Sequence, residues 1–216
     1  MGIFNMQNPF WRFMGKLFDV VVLNLLWTLC SLPVVTIGAT TSAVYCVCIG
    51  LIRDEVSGAV NAFFRVLRRD WKQTVPMGLL LLAVVALLGF DLWYFLLVQD
   101  WLDGGPRMVV CVFLTLMLIL TTATAIYSFA LAAVFDNTVK ETLHNALLMA
   151  LRHPLRSLSM LAVTVGLAAA GGLSLIHIPA LSVVFMMFGP ALGIFLHCLI
   201  LMPVLNPYLP EIEEME

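Results

Sequence analysis

Few side chains in this sequence could do chemistry, and most of them lie inside apolar runs. Asp91 and His197 are the ionisable groups deepest among hydrophobic residues. Such groups are expensive in lipid and mark relays, ion paths or buried hydrogen bonds. Asp91 lies sixteen residues past Val75, ~24 Å along a helix axis, beside aromatic residues. That position suits an interfacial acid facing water. His197 is deeper and reads first as a structural hydrogen bond to a neighbouring helix, second as a proton relay. Asp19 and His177 fall near helix ends, where snorkelling or, for Asp19, a pair with Lys16 is sufficient.

Hydroxyl groups form two clusters. Thr40, Thr41, Ser42 and Tyr45 sit in one apolar run, and Thr121, Thr122, Thr124 and Tyr127 in another. They could line a polar seam between two membrane helices, and so a path for a small solute. The alternative is helix packing, because Ser and Thr allow close backbone approach and bond across helices. Pro33, Gly38 and Gly189-Pro190 interrupt helical runs, as kinks or as pathway-lining irregularities. Ala168-Ala169-Ala170-Gly171-Gly172 offers a small-residue face for close helix contact or self-association. Phosphate loops, HExxH, GxSxG and paired intramembrane carboxylates are absent from the sequence, so no enzyme is expected. The five cysteines show no CxxC or Cys/His metal spacing and read as packing residues; neither metal nor cofactor is expected.

Composition explains why polar residues are so scarce. The chain has 216 residues, 62 % hydrophobic and 11 % charged, against roughly 45–50 % and about 25 % in soluble domains. A 216-residue globule could not clothe that surplus in a polar shell. An integral membrane protein is expected. A net charge of −2 argues against nucleic acid as a partner.

Stretches free of Asp, Glu, Lys and Arg run over 20–52, 73–90, 108–135 and 157–210. A span needs ~20 residues to cross a ~30 Å hydrocarbon layer. The pattern predicts an all-α bundle of six spans at about 17–36, 38–53, 75–98, 108–134, 158–177 and 180–203. The short second span must thin the bilayer or cross steeply. Orientation follows the cations. With both termini inside, Arg12, Lys16, Arg53, Arg65, Arg68, Arg69, Lys72, Lys140, Arg152 and Arg156 are cytoplasmic, and only Arg107 is outside. Merging the first two spans worsens that split to eight against three. Trp93, Tyr94 and Trp101 form an outer aromatic belt, followed by an acidic turn with Asp100 and Asp103. A cleaved signal peptide ending in the small residues 39–43 is the competing reading of the first run. It is set aside because that cluster recurs mid-chain. Myristoylation after Gly2 fails because Met6 stands where Ser or Thr is needed.

The recurrence points to a parallel internal duplication. Thr40-Thr41-Ser42-Ala43-Val44-Tyr45 matches Thr122-Ala123-Thr124-Ala125-Ile126-Tyr127, and the segment 61–69 matches 145–153. Each copy reads as span, cytoplasmic amphipathic helix, span. The amphipathic helices are expected at about 55–72 and 136–157. The first has Val56, Ala59, Val60, Phe63, Phe64, Leu67 and Trp71 on its apolar face; the second has Val139, Leu143, Leu147, Leu151 and Leu155. Their cations, Arg65, Arg68, Arg69, Lys72, Arg152 and Arg156, suit either the anionic inner leaflet or a cytoplasmic partner.

Asn24-Leu25-Leu26-Trp27, Ser31-Leu32-Pro33, Val35-Thr36-Ile37-Gly38-Ala39-Thr40-Thr41-Ser42-Ala43 and Asp70-Trp71-Lys72-Gln73-Thr74 resemble the YesL family of bacterial integral membrane proteins. The likeness is densest over residues 20–80. It implies a protein of the bacterial cytoplasmic membrane, accessory or regulatory to carbohydrate uptake by sugar ABC importers. It brings no catalytic or binding residues with it. Glu55-Val56-Ser57-Gly58-Ala59 does not reproduce the Glu-Ala-Ala…Gly coupling loop of importer permeases, which weighs against a standard permease subunit.

Overall fold

A computed structural model describes residues 9–56, 58–98, 104–177 and 179–208. Among these, every regular element is helical: α1 Pro9–Cys30, α2 Ile37–Ile52, α3 Ala59–Leu97, α4 Gly105–Val134, α5 Val139–Arg152, α6 Pro154–His177 and α7 Pro179–Leu205. Among the described residues, five segments are long and apolar enough to cross a membrane: Val34–Ile52, Ala59–Leu97, Gly105–Val134, Pro154–His177 and Phe188–Leu205.

The short α2 is the axis of the bundle. Twelve of its sixteen residues are buried, on every side of the helix, as expected only for a helix surrounded by others. α1, α3, α4 and α7 pack around it. A helix sheathed in protein need not match the hydrocarbon thickness, which removes the difficulty its length raised. It begins after Pro33 and a 3-10 turn at Val34–Thr36. The Thr36 hydroxyl ties that turn back by donating to the Pro33 carbonyl at 2.7 Å and to the Cys30 carbonyl that ends α1. The first helix therefore covers 9–30 rather than 17–36. Lys16 pairs not with Asp19 but with Asp54 at 2.8 Å, clasping α1 to the turn after α2.

The closest approach in the fold joins α2 and α3. A Cβ added to Gly38 would lie 2.5 Å from the Thr74 carbonyl oxygen and 2.7 Å from the Gly78 Cα. One added to Gly78 would lie 2.5 Å from the Gly38 Cα. The two backbones touch, and only glycine fits at both positions.

Two sequence expectations are corrected. The helices expected at 55–72 and 75–98 form one helix of 39 residues, ~58 Å long at 1.5 Å per residue. Nothing between Arg69 and Val75 terminates it. Pro76 removes one amide without breaking the helix, and the Thr74 hydroxyl bonds the Asp70 carbonyl just before it at 2.8 Å. The second copy is divided instead: α5 ends at Arg152 and α6 starts at Pro154, with His153 non-helical between them. Pro154 occupies the place of Asp70 in the proposed alignment and disfavours helix at the residue before it.

The inward faces also differ. On α5 the buried residues are Thr142, Ala146 and Ala150, with Val139 and Leu143 packed half-buried against Met77, Leu81 and Ala132, while Leu148 and Leu151, and Leu155 at the start of α6, are exposed. On α3 Ala59, Phe63 and Val66 point inward, while Val60, Phe64 and Trp71 are exposed. Beyond Leu81 no described residue of α3 is buried, nor any of α4 before Ala123. The α3–α4 hairpin thus leaves the core with bare apolar flanks. Arg107 closes it, donating to the Phe95 and Leu96 carbonyls at 2.8 and 2.6 Å where α3 ends. Trp93 and Tyr94 are exposed at this end; Asp100, Trp101 and Asp103 fall outside the described residues.

Two predictions follow from the packing and the capping. Gly38→Ala should destabilise the protein by about 1–3 kcal/mol, the range for overpacking a tight contact. Gly89→Ala, which meets nothing within 4 Å, should be neutral or stabilising; thermal unfolding in detergent reads both. At α5 the Thr138 amide and hydroxyl donate to the Glu141 carboxylate at 2.9 and 2.8 Å. These bonds hold its pKa below the ordinary 4.5. Their stabilisation is complete above that value and is lost as pH falls through the lowered one. Amide exchange over 139–144, corrected for intrinsic rate, should accelerate on acidification below pH ~4.5, and Glu141→Gln should abolish that dependence.

Candidate functional site

The polar groups buried beside α2 are arranged by the need to satisfy them without water. His197 on α7 is their centre. Its Nε2 lies 3.1 Å from the Met160 carbonyl, which can only accept, so Nε2 carries the proton and Nδ1 is bare. The Tyr45 hydroxyl accordingly donates to Nδ1 at 2.9 Å. Thr164 stands 3.2 Å from Nε2 and donates to the Met160 carbonyl at 3.0 Å. One imidazole thereby links α2, α6 and α7, the structural role read from the sequence. Nearby, the Asn24 side-chain oxygen of α1 accepts the Ala191 amide of α7 at 2.8 Å, immediately after Pro190. The Trp27 indole donates to the Thr41 hydroxyl at 3.1 Å. The work of Asn24 and Trp27 as polar ties between helices carries no sequence signal beyond their polarity in an apolar run.

The hydroxyl clusters do not form one seam. Thr40 bonds Ser31 at 2.7 Å and its own helix at Thr36 and Ile37. Ser42 donates to the Phe129 carbonyl at 3.4 Å, a direct tie from α2 to α4. Thr124 donates back to the Leu120 carbonyl. Tyr127 is fully buried against Ser157 of α6, 3.5 Å away. Neighbouring residues on a helix point ~100° apart, so these groups diverge to different partners.

Three of them do meet. Thr41, Tyr45 and Thr122 line a cavity of about 340 Å³ together with Thr164 and His197. Its other walls are apolar, from Trp27 of α1 and Phe129 of α4 to Leu167 of α6 and Phe185 of α7. Gly189 and Gly193 make room: a Cβ on Gly189 would strike the Phe185 ring at 2.8 Å, and one on Gly193 would strike Leu167 at 2.8 Å. No Asp, Glu, Lys or Arg lines it.

The cationic residues lie elsewhere, around the end that carries the 53–58 and 135–138 connections. Arg65, Arg68 and Lys72 are exposed on α3, without an ion-pair partner among the described residues. Arg69 differs: its Nε and Nη2 reach the two Asp70 oxygens at 2.7 and 2.8 Å. This pairing raises the Arg69 pKa and neutralises its charge locally. Arg152 helps line a second cavity, of about 380 Å³, with Asn145, His153 and Tyr208. Arg156 is half-buried at the start of α6, and Asp91 half-buried on the far part of α3. Gln73 donates to the Asn137 carbonyl, joining the cationic part of α3 to the connection before α5.

Tyr45→Phe should test the central node. Loss of an interhelical bond in a membrane protein costs about 0.6 to 1.7 kcal/mol. A double-mutant cycle with His197→Phe should return a coupling energy in that range, measured by unfolding in mixed micelles.

Residues 20–92 match the family described as "Protein of unknown function, DUF624". No curated protein and no solved structure matches the chain. The matched segment carries Trp27 and Thr41, which tie α1 to the central helix, Gly38 and Gly78, which bring α3 against it, and Asn24 and Tyr45, which bond to α7.

Proposed function

We propose that this is a six-span protein of the bacterial cytoplasmic membrane, of YesL type, accessory or regulatory to carbohydrate uptake. It has both termini inside, and α5 and the first part of α3 project into the cytoplasm. Its task is to dock an importer's cytoplasmic face through their cations. One observation carries the reading. Arg65, Arg68 and Lys72 stand exposed on α3, without an ion-pair partner among the described residues, beside bare Phe64 and Trp71, a cation–aromatic surface that matches an acidic partner with an apolar centre. Arg152 adds a concavity able to seat a carboxylate. The same cations gain ~1 kcal/mol each near anionic lipid, which holds the surface at the membrane plane where a partner would meet it. The six-span topology agrees with the cation asymmetry, and the parallel repeat with the matching 61–69 and 145–153 segments.

A solute path between α2 and α4 has less support. Thr40, Ser42 and Tyr127 are engaged at separate helix contacts, and Thr124 bonds its own helix.

The test is recovery of the importer complex with the tagged protein from membranes expressing both. Joint replacement of Arg65, Arg68, Lys72 and Arg152 by Ala should lower recovery about tenfold or more, the effect of 1.4 kcal/mol. Arg69→Ala should matter little, because Asp70 already holds that charge. Raising salt should weaken the wild-type complex in the same direction. Undiminished recovery of the fourfold variant would refute docking through this surface.

A further inference from the structure

The cavity between α1, α2, α4, α6 and α7 has hydrogen-bonding capacity that the protein leaves unused. The Thr41 oxygen accepts the Trp27 N–H, but its own hydroxyl hydrogen has no acceptor among the described residues. Tyr45 spends its hydrogen on His197, and its phenol oxygen accepts from no described residue although the side chain is 2 % exposed. Thr41 and Tyr45 are four residues apart on α2, so donor and acceptor lie on one face, one turn apart. The Thr122 oxygen, whose hydrogen goes to the Leu118 carbonyl, adds an acceptor from the facing helix. Buried polar groups normally have partners, and each exception calls for an explanation.

From this geometry we infer that the cavity binds a neutral amphiphile with one hydroxyl on an apolar chain. The hydroxyl accepts from Thr41 and donates to Tyr45 or Thr122. The chain lies between Phe129 and Phe185. Charge is excluded because the lining has no acid, lysine or arginine to balance it and burial of an unpaired ion is prohibitive. Its 340 Å³ holds about eleven groups the size of a water, near 30 Å³ each, or a chain of about ten to twelve carbons. The cavity is not enclosed, and Ala168, one of its lining residues, is exposed among other apolar residues of α6. Ligand therefore enters from the bilayer. This inference does not depend on docking at the cationic end.

Photolabelling tests it. The full chain in phosphatidylcholine nanodiscs is irradiated with a dodecan-1-ol bearing a diazirine near its chain end, and the adducts are mapped by peptide sequencing. Label should concentrate on the segments holding Phe129 and Phe185. Excess dodecan-1-ol should compete it away, whereas dodecane and dodecanoate should not. Thr41→Val should weaken competition about three- to tenfold, the effect of one hydrogen bond, and Thr41→Ser, which keeps the hydroxyl, should restore it. Label spread evenly over the exposed flanks of α3 and α4 would overturn the site. Equal competition by dodecane, or Thr41→Ser as weak as Thr41→Val, would overturn the role given to the hydroxyl.

Discussion

The rest of the bundle depends on the close approach of α2 and α3, where the backbones of Gly38 and Gly78 touch. That contact draws a short helix into the centre and surrounds it with protein. Once there, α2 has neither water nor lipid headgroups for its polar side chains. Neighbouring helices must supply the partners, and they do: Trp27 from α1, the Phe129 carbonyl from α4 and His197 from α7. Each bond is worth little alone, about 0.6 kcal/mol on average in membrane proteins. Together with the Gly38–Gly78 contact to α3, they fix how four helices are placed around α2.

Much of the helix layout was legible in the sequence because charge-free runs and prolines mark where apolar helices start and stop. α2, α4, α6 and α7 begin and end within a few residues of expectation. What failed did so for physical reasons. Apolar periodicity marks the contact face of α5 only in part: Val139 and Leu143 pack half-buried against the core, but the fully buried residues are Thr142, Ala146 and Ala150, and Leu151 is exposed. The apparent gap between an amphipathic helix and a span on α3 is only a change of surroundings along one helix, from cations to lipid-facing residues. The proposed seam assumed that a cluster in sequence is a cluster in space, whereas Thr40 and Thr41 point to different neighbours. His197 was readable as a polar residue needing a partner; that Tyr45 would provide it, 152 positions away, was not.

The two surfaces with functional potential are therefore separate. One is cationic and aromatic, at the end carrying the connections before α3 and α5, and is the surface proposed to dock a partner. The other is a mostly apolar cavity beside the central helix, with a small unused hydrogen-bonding capacity. The matched family segment contributes to both: it carries Arg65, Arg68 and Lys72 on one side, Thr41 and Tyr45 on the other.

The central claim is that the polar groups around α2 are joined to each other in a dry interior. Water-edited solid-state nuclear magnetic resonance of histidine-labelled protein in bilayers tests this most directly. His144 and His177, both exposed, serve as hydrated references. The account predicts a single His197 tautomer with Nε2 protonated and magnetisation transfer from water far slower than to those references. Transfer to His197 as fast as to His144, with both ring nitrogens exchanging, would mean a hydrated path beside α2 and would contradict the account.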